Sequence, residues 1–156
     1  TNGWGWLHYT KSLCQKDNAT KGGSMKADRS NLFVYGTLKK GGTLHNVLGN
    51  SSEFLGVFST MKSNWDMHDY GCPIMVLKDD EGFKIKGELY SVTPDCMARV
   101  TAVESGAGYV PFVVELEQDE DTEVTRAIAY IYPTPYATMT ASNRVKENEG
   151  VKEWSQ

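Results

Sequence analysis

Asn31-Leu-Phe-Val-Tyr-Gly-Thr-Leu38 is the stretch on which the reading of this chain turns. The apolar run Leu32-Phe33-Val34 predicts a buried strand. Tyr35-Gly36-Thr37-Leu38 predicts its break into a loop, with Lys39-Lys40-Gly41-Gly42 following. A glycine there lets the main chain approach a ligand closely, and successive N–H groups in such a loop can hold an anion or a polarised carbonyl. A plain strand followed by a turn would read the same way. The functional reading gains weight from a carboxylate further along, Glu104, at the end of a predicted helix.

Outward from this stretch the pattern mixes α and β. Residues 43–48 predict a short helical turn capped by Thr43, and residues 53–67 a long or broken strand. Tyr70-Gly-Cys-Pro73 predicts a turn, and Ile74-Met-Val-Leu77 a strand. Asp79-Asp-Glu-Gly82 predicts a hairpin turn before Phe83-Lys-Ile-Lys-Gly-Glu-Leu-Tyr90, whose alternation fits a half-solvated antiparallel strand. Thr93-Pro94-Asp95 is a helix start: a capping hydroxyl, a proline at the first helical position and an acid facing the dipole. Met97 and Val100 give that helix an inward stripe, and it is expected to end near Glu104-Ser105-Gly106. Residues 112–116 and 125–132 predict two further strands around the acidic loop 118–123, and the polar tail from Ser142 predicts a loosely packed helix. Many short strands with few helices indicate an α+β fold with a strongly curved or closed sheet.

Composition sets bounds. The 156 residues suit one domain, and 40% hydrophobic residues can build one core. A net charge of -4 and the lack of a Lys/Arg stripe argue against a nucleic-acid partner. No apolar run reaches the length of a membrane span. Cys14, Cys72 and Cys96 form no C-x-x-C pair, and His8, His45 and His68 form no ligand-spaced cluster, so no metal site is expected. Three reduced thiols in a cytoplasmic protein is the expectation. Asp66, His68 and Asp69 are read as a solvated polar loop rather than a metal site, and Cys96 as structural. Lys21-Gly-Gly-Ser24 before Met25 resembles a linker joined to a start, so residues 1–24 are expected to be an appended tag or linker and residues 25–156 a single domain.

Tyr35-Gly36-Thr37-Leu38 resembles the Tyr-Gly-Ser/Thr-Leu signature of the γ-glutamylcyclotransferase-like superfamily, which includes γ-glutamylamine cyclotransferases and the plant AIG2-like proteins. Three more blocks fall in the family's order: Asp69-Tyr-Gly-Cys-Pro-Ile-Met-Val76, Lys86-Gly-Glu-Leu-Tyr-Ser-Val92, and Arg99-Val-Thr-Ala-Val-Glu104 followed by Tyr109. The resemblance spans residues 31–135. Val100-Thr101 stands where the family has Leu-Asp, Cys72 where it has an aromatic residue, and Ser105 where it has glycine. The resemblance implies a small mixed, barrel-like sheet with flanking short helices.

It also implies a reaction: the α-amino group of a γ-glutamyl amine or related conjugate attacks its own γ-carbonyl, giving 5-oxoproline and a free amine. The attacking ammonium must lose a proton, the oxyanion needs donors, and the leaving amine must gain a proton. By resemblance Glu104 is the acid/base. The N–H groups of Gly36, Thr37 and Leu38 would hold the substrate's carboxylate or carbonyl, with Tyr35 lining the pocket or donating a hydrogen bond, and Tyr109 and Tyr130 as weaker candidates for contact. A helix C-terminus and partial burial would both raise the Glu104 pKa. The chemistry calls for no metal or cofactor, and the expected partner is a small γ-glutamyl substrate. The alternative is a non-catalytic module that binds a small molecule or peptide in the same pocket.

Overall fold

A computed structural model describes residues 28–78, 81–118, 124–133 and 144–155. The appended segment expected at residues 1–24 and most of the acidic loop at 118–123 lie outside the described residues. Five strands form a closed ring. β1 (Ser30–Val34) pairs antiparallel with β5 (Lys84–Val92) and parallel with β7 (Thr125–Ile131). β7 pairs with β6 (Val110–Glu117), β6 with β2 (Glu53–Thr60), and β2 with β5, all antiparallel. With its flanking helices this is the α+β, barrel-like architecture that the resemblance implied.

The apolar run in β1 has a simple cause. Successive strand residues point to opposite faces, and both faces of β1 are covered. Phe33 joins Phe58, Ile85, Leu89, Val114, Leu116, Ala129 and Ile131, a cluster to which all five ring strands contribute and which therefore fills the ring. Leu32 and Val34 join Leu48, Val92, Met97, Val100 and Ile128 in a second cluster, under the helices. A strand buried on both sides reads as continuous hydrophobe rather than alternation.

The helix α1 (Pro94–Gly106) begins as expected: Cys96 N–H donates to Thr93 Oγ1 at 3.3 Å, and Pro94 opens the first turn. Gly108, at φ +94°, takes the left-handed conformation that lets the chain leave the helix. A 3-10 segment, His45–Ser51, packs on α1 through Arg99 Nε, which donates to Val47 O at 3.1 Å. Thr43 does not cap it: the residue at the cap is Leu44, with no side-chain bond. Among the described residues, no helix is long and apolar enough to cross a membrane.

Three further expectations are corrected. The strands on either side of residues 79–82 do not pair with each other as a hairpin. β4 (Pro73–Leu77) pairs with β3 (Trp65–Asp69) in a separate two-stranded sheet, while β5 belongs to the ring. Over the described residues 144–155 the tail is not a helix. β8 (Glu147–Asn148) and β9 (Val151–Lys152) turn at Glu149-Gly150, both at positive φ, and β9 extends the sheet beside β5. Asp66 and His68 are not in a solvated loop. They lie on β3, fully buried, because the tail brings Lys152 onto the Asp66 carboxylate.

Candidate active site

The α1 register that buries Met97 and Val100 also turns Glu104 inward, since residues four apart share a helix face. Glu104 meets the end of β1 there. One pocket of about 290 Å³ is lined by Val34, Tyr35, Gly36, Thr37 and Leu38 from β1 and its loop. Cys72 and Pro73 come from the entry to β4, Val103 and Glu104 from α1, Tyr109 from the approach to β6, and Tyr130 from β7. All six site residues expected from the sequence are thus brought together around one cavity. Among the described residues lining it, Glu104 carries the one charged side chain.

Burial pushes the Glu104 carboxyl up from 4.5 to about 7. Its backbone carbonyl closes the helix, accepting from Ala107 N–H at 3.1 Å and Tyr109 N–H at 2.9 Å. The Tyr35 phenol is pushed well above its usual range by burial first, and then by Tyr109 and Glu104. Burial likewise raises Tyr109, with Cys72 and Glu104 adding to it. Both phenols therefore stay neutral while Glu104 changes charge near neutral pH.

The two tyrosine hydroxyls are committed to the protein. Tyr35 Oη donates to Tyr130 O at 2.7 Å and accepts from Met75 N–H at 3.2 Å. Tyr109 Oη donates to Pro73 O at 2.8 Å. They build walls rather than offer protons to a ligand. The loop main chain is different. The Thr37 and Leu38 carbonyls are used, by Leu44 N–H and by His45 Nδ1, at 2.9 Å each. The N–H groups of Thr37 and Leu38 donate to no acceptor among the described residues. Loop donors without partners among the described residues and one carboxyl poised near neutrality can anchor a polar substrate and move a proton.

Gly36 is held by packing. A Cβ on it would sit 2.4 Å from Pro73 Cγ, against a proline ring that cannot swing away. Gly36→Ala should cost about 1–3 kcal/mol of stability, as overpacking does, and weaken ligand binding by displacing the loop. Thermal unfolding with and without ligand checks both; an unchanged melting temperature and affinity would show that the contact is relieved elsewhere.

Sequence reading missed Pro73, Val103 and Leu44 as lining residues. Pro73 and Val103 lie within the recognised blocks, which is the signal that could have found them. Leu44 carries no such signal.

Residues 32–156 match a family model described as gamma-glutamyl cyclotransferase, AIG2-like. A protein of Arabidopsis thaliana named "Putative gamma-glutamylcyclotransferase" is 32% identical over 79 residues, which cover 47% of this chain and 42% of that relative. The chain thus matches less than half the length of this curated relative. Among solved structures, an uncharacterized protein from Pyrococcus horikoshii aligns with a TM-score of 0.59 at 26% identity, covering 75% of this chain and 86% of that one. An AIG2-like protein from Mus musculus aligns with a TM-score of 0.61 at 18% identity, covering 82% of this chain and 97% of that one, a likeness of fold.

Proposed function

Since the chain belongs to the gamma-glutamyl cyclotransferase, AIG2-like family, we propose that it cyclises a γ-glutamyl amine or related γ-glutamyl conjugate to 5-oxoproline and releases the amine, with Glu104 as acid and base. The observation that carries this reading is the Glu104 carboxyl, raised to about 7 in a pocket whose facing wall is the loop of main-chain donors.

The steps balance on one carboxylate. Ionised Glu104 takes a proton from the substrate's α-ammonium, and the freed amine attacks the γ-carbonyl carbon. The carbonyl oxygen becomes an oxyanion, and donors fixed in advance stabilise it with little reorganisation. When the carbonyl re-forms and the amide C–N bond breaks, Glu104 returns the first proton to the departing nitrogen. The attacking nitrogen sheds its second proton to the same carboxylate, which passes it to the released amine, so the lactam nitrogen of 5-oxoproline ends neutral and the amine leaves as an ammonium. A pKa near the working pH suits both transfers. The N–H groups of Gly36, Thr37 and Leu38 are the proposed anchor for the substrate's carboxylate or its γ-carbonyl oxygen. Tyr35 and Tyr109 are the proposed walls around the glutamyl chain. No metal or cofactor is part of this chemistry. The proposal includes a cytoplasmic setting, which the free thiols of Cys72 and Cys96 support.

The test is 5-oxoproline release from a panel of γ-glutamyl amines and γ-glutamyl dipeptides. Release supports the reading. A γ-glutamyl ligand that raises the melting temperature but is never cleaved would instead identify a binding module.

The pH profile is a second check. Glu104 must be ionised to accept the ammonium proton, and it is protonated below about 7. The expected result is therefore that kcat/KM falls as pH drops through about 7, about tenfold per unit below it, as the loss of a single essential base dictates. A limb centred near the ordinary glutamate value of 4.5 would mean that the base is solvated and the pocket open.

A further inference from the structure

One hydroxyl pair ties the helix that carries Glu104 to the sheet wall opposite. Thr101 lies one turn before Glu104 on α1. Its Oγ1 donates to Met97 O at 2.7 Å, which uses its single proton. The Tyr130 hydroxyl lies 2.6 Å from the same oxygen and must therefore be the donor in that bond. Tyr130 is on β7, only 4% exposed, and lines the pocket. Its backbone carbonyl in turn accepts the Tyr35 hydroxyl at 2.7 Å, and Tyr35 opens the loop of main-chain donors. Tyr130 thus joins two elements of the site, bonding α1 through its hydroxyl and Tyr35, at the start of residues 35–38, through its main-chain carbonyl.

We propose that Thr101 and Tyr130 act together as a positioning pair that sets the separation between Glu104 and the donor loop. The inference rests on the reaction proposed above. Neither hydroxyl transfers a proton to substrate. Their role is geometric: the acid/base and the oxyanion donors stand on different elements, and the reaction needs both at once. Displacing a reacting group by about 1 Å costs up to about a hundredfold in rate. Such a pair affects turnover more than substrate capture, because the loop that anchors the substrate remains intact.

The experiment compares Thr101→Val, Thr101→Ser, Tyr130→Phe and the Thr101→Val/Tyr130→Phe double variant with wild type. Each is measured for kcat, for KM and for melting temperature, on whichever γ-glutamyl compound the wild type turns over fastest. Thr101→Val keeps the side-chain shape and removes the acceptor; Thr101→Ser keeps the acceptor. The expected result is a drop in kcat of about tenfold for Thr101→Val, with KM changed less than about twofold. Thr101→Ser should recover most of that loss. Tyr130→Phe should match Thr101→Val, and the double variant should lose no more than either single one, since the two hydroxyls serve one contact. Wild-type kcat in Thr101→Val, an equal loss in Thr101→Ser, or losses that multiply in the double variant would overturn the pair. A melting temperature lowered in every variant with kcat intact would also overturn it, because the bond would then serve folding alone. A wild type that releases no 5-oxoproline from any compound would bring down the proposed reaction itself, and the pair with it. That result is distinct from an active wild type with unaffected variants.

Discussion

Glu104→Gln should fold and bind like the wild type and release almost no 5-oxoproline. The substitution preserves side-chain volume and hydrogen-bonding capacity, so the walls formed by Tyr35, Tyr109 and Tyr130 have no reason to move. It removes the one group in the pocket that takes up and returns a proton near neutral pH. General acid–base catalysis is worth about 10²–10⁴-fold, and in the proposed reaction both the attack and the departure of the amine draw on the same carboxyl, so the loss should lie toward the upper part of that range. The direction of the stability change is informative too. Burial raises the Glu104 pKa, which means that its ionised form is disfavoured inside the pocket. An uncharged amide escapes that penalty, so above pH 7 the variant should melt no lower than the wild type. Parallel assays of product release and thermal unfolding at pH 8 check both statements. Turnover close to wild type would remove Glu104 from the mechanism. A large fall in melting temperature would give it a structural role instead.

Lys152→Met should destabilise the fold without touching the pocket. Asp66 is fully buried on β3, and its Oδ1 accepts from the Lys152 ammonium and from Met67 N–H at 2.8 Å. Its Oδ2 lies 3.5 Å from Arg144 Nε and 3.8 Å from His68 Nε2. The Lys152 ammonium also sits 4.3 Å over the Phe83 ring. Breaking a buried ion pair by removing one partner costs about 3–5 kcal/mol, because the remaining charge is left in low dielectric. Arg144 keeps a partial counter-charge in place, so the cost should fall near 3. Adding Asp66→Asn should recover a good part of it, since the stranded charge, rather than the lost attraction, dominates the penalty. Urea unfolding of both single variants and the double variant settles this. Equal midpoints for wild type and Lys152→Met would show that the tail is not fastened through this pair.

The family blocks were legible because they are local. Residues 35–38 form one loop, so their Tyr-Gly-Thr-Leu pattern is contained in four consecutive residues. The start of α1 was legible for the same reason: Thr93, Pro94 and Asp95 act on the turn beside them. Leu32 to Val34 showed as a strand because both faces are covered, and continuous hydrophobicity is what double burial requires. The failures occurred where the partner is distant. The tail reads as polar and charged, yet Lys152 is a buried residue because Asp66, 86 positions away, receives it. Asp66 and His68 read as a solvated cluster for the same reason. Asp79 to Gly82 has turn chemistry, but turn chemistry does not say which strands pair, and the flanking strands pair elsewhere.

Thr101 illustrates the division within the site. By its neighbours it is a departure from the family pattern, where an acid is usual. In the folded chain its oxygen receives the Tyr130 hydroxyl from a strand that follows it by 29 positions. The sequence by itself determined the family and the α+β class, and it singled out residues 35–38 and Glu104 as the candidates for donor loop and acid, because each depends on short-range patterns of residue type. Tertiary structure alone decided how far the Glu104 carboxyl is raised, to about 7, that the Tyr35 and Tyr109 hydroxyls are spent on carbonyls, and that Asp66 is buried with its lysine. Desolvation, hydrogen-bond partnership and charge pairing depend on which distant groups exclude water from an atom, and that is known only once the chain has closed on itself.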